Sequence, residues 1–218
     1  IVIDFPTAWA SGPAEYFDKG LALHDAFRRH PRIHTAFAPH APYTVSDEPL
    51  IRIRTYADEL DVRVHMHIHE TAGEVSDSQE KYGKRPLARL DELGLLNDNL
   101  LAVHMTQLTG HEIARCAATG VQVLHSPESN LKLASGLCPV QGLLDAGINV
   151  ALGTDSVASN NDLDMIGEMR TAAFIGKIAA DDAAAVSADT ALAMATINGA
   201  KALGLAESTG SITAGKQA

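Results

Sequence analysis

Six short apolar runs, separated by amphipathic segments, set the terms for any fold this chain can adopt. The runs cover residues 1–5, 33–39, 62–69, 100–105, 121–125 and 149–152. Between them, apolar residues recur at helical spacing over residues 14–28, 47–60, 85–93, 110–118, 140–146 and 163–178, and again over 188–203 after the last run. Ser46 followed by Pro49 reads as the N-cap and first turn of the second helix, while Gly94, Gly120, Gly147 and Gly204 stand where helices should stop. Strand-to-strand units of roughly 20 to 40 residues leave room for a crossover helix, so the runs should pair in parallel. The alternation predicts an α/β protein with a parallel sheet or barrel.

Polar residues choose between the two. His40, His67, His69, His104, His125 and Asp155 each fall at or just beyond the C-terminal end of a predicted strand. A (β/α) barrel builds its active site there from loops after several strands, whereas an open doubly wound sheet gathers its ligand at one switch point. No G-x-G-x-x-G or G-x-x-x-x-G-K-[ST] segment follows a strand, so those nucleotide-phosphate sites have no support. The predicted fold is a (β/α)8 TIM-like metal-dependent hydrolase barrel, with about six of its eight strand units in this sequence.

The densest strand end is VHMHIHE, residues 64–70. Alternation puts His65, His67 and His69 on one face, with Met66 and Ile68 on the other. A lone strand histidine is most often a hydrogen-bonded or half-exposed residue. Three with a carboxylate directly after them point to a metal site, because neutral imidazole is the commonest metal ligand. His65 would lie roughly 7 Å deeper than His67, too far down to share its ion easily. His24, His30, His34 and His111 fall on helix bodies or element ends, where solvent-facing or capping roles are expected.

Composition narrows the partners. Seventeen basic against twenty-seven acidic residues give a net charge of −10, which argues against nucleic-acid and anionic-membrane surfaces and favours a small-molecule or protein partner. Cys116 and Cys138 form no C-x-x-C pattern, so a cysteine zinc site and a disulfide framework are not indicated, and a reducing cytoplasm is the expected location. A homo-oligomer is compatible with this composition. No apolar stretch has membrane length.

Asp155 stands in LGTDSVASNND, after the last run. An aspartate there is usually a cap or Asx-turn. The alternative is a metal-ligating carboxylate that also takes a proton from a water acidified by the metal.

HIHE (67–70), AVHMTQL (102–108), LHSPESNLKL (124–133) and LGTDSVASNN (152–161), with APHAPYTVS (38–46), together resemble the amidohydrolase superfamily. Within it they are most similar to the branch of 5-methylthioadenosine/S-adenosylhomocysteine deaminases, related to triazine chlorohydrolases and guanine deaminases. The resemblance implies one divalent metal ion, zinc first and iron second. It makes His67 a ligand and Asp155 the last ligand and proton shuttle. Glu70 becomes the acid that protonates the ring nitrogen, and His104 the group that orients the attacking water. His40 and, with less to carry it, Ser159 become substrate contacts; Trp9 could line an apolar pocket for the methylthio or nucleoside group. The implied reaction gives the inosyl product and ammonia. The alternatives are another ring C–N or C–Cl hydrolase (guanine or pterin deaminase, triazine chlorohydrolase) and a non-catalytic truncated barrel.

Two features depart from the family pattern. The H-x-H that the family carries on its first barrel strand is not found upstream of His65, and no arginine precedes Arg28 to grip a homocysteine carboxylate. The expectation is therefore a fragment: residues 1–205 a partial (β/α) barrel catalytic domain, and 206–218 the start of the return to a β-sandwich.

Overall fold

The computed structural model of the chain describes residues 1–217. In chain order its elements are α1 (Pro13–Phe27), α2 (Asp47–Leu60), β1 (Val64–Ile68), α3 (Ala72–Tyr82), α4 (Pro86–Glu92), β2 (Leu100–His104), α5 (Gly110–Thr119) and β3 (Gln122–His125). They continue with α6 (Pro127–Lys132), α7 (Val140–Asp145), β4 (Val150–Leu152), α8 (Val157–Asn160), α9 (Met165–Ala180), α10 (Ala188–Ala195) and α11 (Ile197–Ala202). The strands form a parallel sheet in the order β1-β2-β3-β4, so each neighbour in space is the next strand in the chain. Helices carry every crossover, as parallel pairing requires. The chain is thus an α/β protein with a parallel sheet.

The last four predicted runs are these four strands. The first two differ: they form isolated bridges rather than ladders. Val2 bridges Pro39 and Phe37 bridges Val64, both parallel, which lays the two runs beside β1 in the predicted order. Val2 N–H donates to Ala38 O at 3.0 Å and His65 N–H to Phe37 O at 2.8 Å. Pro39 has no N–H to give, and Pro6 closes the first run, so neither pairing extends.

Alternation along β1 is visible in its burial. Val64, Met66 and Ile68 are buried, while His65 and His67 are half-buried on the other face. Met66 and Ile68 join Leu100, Ala102, Val123 and Val150 in one core, covered by Leu50 and Ile53 of α2, Leu90 of α4 and Leu143 of α7. Each such Leu, Ile or Met contributes about 1.5–3 kcal/mol on burial.

The helices differ from expectation where apolar periodicity is weak. AGEVSDSQEKY forms α3, although only Val75 among its apolar side chains is buried. The predicted helix over 188–203 is two, α10 and α11, divided at Thr196, whose φ of −129° and ψ of −94° are not helical. Ser46 has N-cap backbone geometry but no side-chain cap bond; its N–H donates instead to Asp4 Oδ2 at 2.8 Å. Gly120 ends α5 as expected, at φ +78°. No helix among the described residues is long and apolar enough to cross a membrane.

Candidate active site

Parallel register brings the strand ends to one side of the sheet. Ile68 pairs with His104, Val103 with Leu124, and His125 with Leu152. The His67 ring centre lies 5.2 Å from that of His40, 5.4 Å from His104 and 6.2 Å from His65.

The backbone bends sharply at these ends. His69 (φ +54°), His104 (+73°), Met105 (+53°) and Asp155 (+59°) all occupy the left-handed region. Such conformations cost non-glycine residues on the order of 1–3 kcal/mol and gather at functional sites. At β1 the bend takes Glu70 out of the strand's alternation. The bend is clamped: Glu74 Oε1 accepts the His69 N–H at 3.1 Å, its Oε2 accepts the Glu70 N–H at 2.8 Å, and Thr106 Oγ1 donates to Glu70 O at 2.7 Å. Burial, opposed by those two amides, pushes the Glu74 carboxyl up to about 7.

His69 does not share the face of His65 and His67. Its positive φ turns the ring into the helix layer, where Nε2 accepts the Leu87 N–H at 3.2 Å and lies 3.7 Å from Glu112 Oε1. Arg85 grips the same Glu112 with two bonds, of 2.7 and 3.0 Å. His69 is fully buried, and that burial lowers its pKa to about 4 against the pull of Glu112. The face of three imidazoles is therefore a face of two.

Glu70 and His104 meet. Glu70 Oε2 lies 3.8 Å from His104 Nε2, and Glu70 Oε1 accepts the Ser135 hydroxyl at 3.2 Å. His104 is buried, with Nδ1 2.8 Å from Asn130 Oδ1. With that oxygen as acceptor, Nδ1 carries the hydrogen and Nε2 is left facing the mouth.

Asp155 lies just past β4. Its Oδ2 accepts the Ser129 hydroxyl at 2.8 Å and its Oδ1 the Ser156 N–H at 2.8 Å. Burial works against the ionised form, but bonds from Ser129, Ser159 and Ser156 outweigh it and hold the carboxyl below its ordinary range. Ser159, in α8, also donates to Ser156 O at 3.2 Å. His40 is braced by Thr44 Oγ1 at 3.0 Å. Trp9 is 45% exposed, and its ring lies 5.5 Å from Tyr16 and 5.5 Å from Lys19 Nζ. His125 is buried, neither ring nitrogen has a hydrogen-bond partner among the described residues, and burial, with His104 nearby, lowers its pKa to about 3.

The donors suit a divalent ion in kind. Burial first, then His104, His40 and His65, lowers the His67 pKa and keeps its imidazole neutral, while Asp155 is held ionised. Among the described residues, no three His, Cys, Asp or Glu side chains are grouped so that they could hold a metal ion.

Several residues of this neighbourhood escape sequence reasoning. Ser129 and Asn130 stand inside LHSPESNLKL, but spacing alone does not say that they reach Asp155 and His104. Glu74 had a legible signal: T-A-G-E, residues 71–74, has the S/T-x-x-E form of a helix start. Here its carboxylate reaches the strand end instead of the cap.

A parallel α/β scaffold with imidazoles and carboxylates at its strand ends is the framework of a barrel-type hydrolase site. Residues 14–218 match the amidohydrolase family, and the chain belongs to it. It is 56% identical over 217 residues to the 5-methylthioadenosine/S-adenosylhomocysteine deaminase of Teredinibacter turnerae, covering 100% of this chain and 49% of that protein. The corresponding deaminase of Saccharophagus degradans is 53% identical, with the same shares covered. The chain thus spans about half the length of the curated relatives it matches. Among solved structures, an adenosine deaminase from Xanthomonas campestris with bound zinc superposes with a TM-score of 0.98 at 61% identity, over 100% of this chain and 49% of that one.

Proposed function

We propose that the complete protein is a metal-dependent hydrolytic deaminase of 5-methylthioadenosine, S-adenosylhomocysteine or adenosine, yielding the inosyl product and ammonia. One observation carries the reading. Glu70 and His104 meet beside His67, with Asp155 braced just past the end of β4, in a chain that resembles such a deaminase along its whole length. In this reading residues 1–205 supply six strand units of an eight-unit barrel. Residues 206–218 begin the return to a β-sandwich. A reducing cytoplasm would keep Cys116 and Cys138, both buried, as free thiols.

Hydrolytic deamination joins a water oxygen to the ring carbon, breaks the bond to the exocyclic nitrogen and moves two protons. One goes to the neighbouring ring nitrogen and one to the departing amine. His67 and Asp155, with further ligands, would hold a divalent ion, zinc or alternatively iron, which would supply a water acidic enough to lose its proton near neutral pH. Asp155 takes that proton and delivers it to the amine, its ionised form secured by Ser129 and Ser156. Glu70 gives a proton to the ring nitrogen and recovers one from the added oxygen as the C–N bond breaks, so the two water protons account for both transfers. His104, fixed through Asn130, directs Nε2 at the attacking oxygen. His40 and Ser159 contact the substrate, and Trp9 offers an apolar wall to its methylthio or nucleoside end.

The test is a substrate panel: 5-methylthioadenosine, S-adenosylhomocysteine, adenosine, guanine, a pterin and a chlorotriazine, read for ammonia and chloride. Ammonia from the adenosine compounds is expected. Activity confined to guanine, pterin or chlorotriazine would contradict the assignment.

A further inference from the structure

Behind Asp155 and His104 lies a carboxylate that this chemistry leaves unused. Glu168, in the first turn of α9, is wholly buried. Its Oε1 accepts from Asn160 Nδ2 at 2.5 Å and its Oε2 from the Glu128 N–H at 3.3 Å. No lysine or arginine among the described residues forms an ion pair with it. A buried carboxylate held only by uncharged donors is costly to keep, and burial pushes Glu168 up to about 7.

Both of its partners lead to the site. Asn160 Nδ2 also donates to Thr154 O at 2.8 Å, the carbonyl of the peptide that enters the left-handed turn at Asp155. Glu128 lies in the first turn of α6, whose next two residues are Ser129, on Asp155, and Asn130, on His104. Thr171 Oγ1 of α9 fastens the Glu128 side chain at 2.8 Å. One carboxylate thus joins the loop that carries Asp155 to the helix that braces both Asp155 and His104.

We propose that Glu168 is a positioning residue: with Asn160 it fixes the placement of Asp155 relative to His104. The inference rests on the roles given above to those two residues, but the geometry can also be read without turnover. Glu168→Gln keeps one acceptor oxygen and replaces the other with an NH2 that cannot accept, while Asn160→Ala cuts the link to Thr154.

In the complete protein each change should lower kcat for 5-methylthioadenosine about 10- to 100-fold, the range for losing a group that orients a functional side chain without touching the substrate. KM should stay within about threefold, and the double variant should lose little beyond the worse single one, since the residues act as one unit. Hydrogen exchange should quicken at the amides of Ser129, Asn130, Asp155 and Ser156, but not at Leu101 and Ala102 in β2. Unchanged exchange at those four amides in both variants, or unchanged kcat in variants that fold, would overturn the proposal. If the wild type deaminates nothing while the variants still quicken exchange there, the positioning role stands and the substrate assignment falls.

Discussion

The middles and the C-terminal ends of the same strands follow different rules. At Met66, Ala102 and Val123, and at Leu100 and Val150 where β2 and β4 begin, the strands are apolar and completely buried. A few residues further on, His69, His104, Met105 and Asp155 turn to positive φ, and buried polar side chains gather around them: Glu74, Ser129, Asn130 and Glu168. The middles hold the fold by excluding water. The ends hold unfavourable backbone conformations by hydrogen bonds, and those bends aim Glu70 and Asp155. Stability and the proposed chemistry are thus separated by a few residues along β1, β2 and β4.

Substitutions at each place should therefore report different quantities. The largest effect is expected from Glu70→Gln, which keeps the shape but has no proton to give. Turnover should fall roughly 10²- to 10⁴-fold, the range for a lost general acid. The melting temperature should hardly move, because among the described residues the Glu70 carboxylate makes only one hydrogen bond, to Ser135. Steady-state kinetics beside a thermal melt checks both halves; near-wild-type turnover would remove Glu70 from its role.

Met66→Ala should do the opposite. Met66 is 0% exposed at the centre of the core, so the lost contacts and the remaining cavity should cost about 2–5 kcal/mol in urea unfolding. Turnover per folded molecule should be preserved. A large fall in kcat with little loss of stability would erase the distinction between middle and end.

A smaller effect follows from the clamp on the β1 bend. With the Glu74 carboxyl raised to about 7 by burial, the fold favours its protonated form. Its contribution is complete below about 4.5 and is lost as pH rises through 7, because the unfolded chain releases this proton first. The loss is on the order of 3 kcal/mol over that window. Glu168, also raised to about 7, acts in the same direction. Urea midpoints from pH 4.5 to 8 should fall for the wild type and fall less steeply for Glu74→Gln. Parallel slopes would show that the two amide bonds keep Glu74 ionised throughout.

The same contrast explains what could be read from the sequence. Middles are legible because apolar runs and helical periodicity are local: residues 62–69, 100–105, 121–125 and 149–152 all contain the strands they announce. The position of His67, His104 and Asp155 at strand ends is legible for the same reason. The clamps are not. Asn130 reaches His104 across 26 residues and the Glu128 amide reaches Glu168 across 40, pairings that only the folded sheet creates. His69 misled because alternation assumes an extended backbone, and the chain leaves that conformation at His69 itself. The first two runs misled because proline interrupts a ladder without moving the chain out of line.

Asp155→Asn tests the central claim most directly. It preserves the shape of the side chain and an oxygen for Ser129, but removes the group that accepts and returns a proton. Ammonia release from 5-methylthioadenosine should drop by roughly 1,000-fold or more, a loss suited to the shuttle and a ligand together, while the protein unfolds at nearly the wild-type temperature. Turnover within tenfold of the wild type in a folded Asp155→Asn protein would contradict the account.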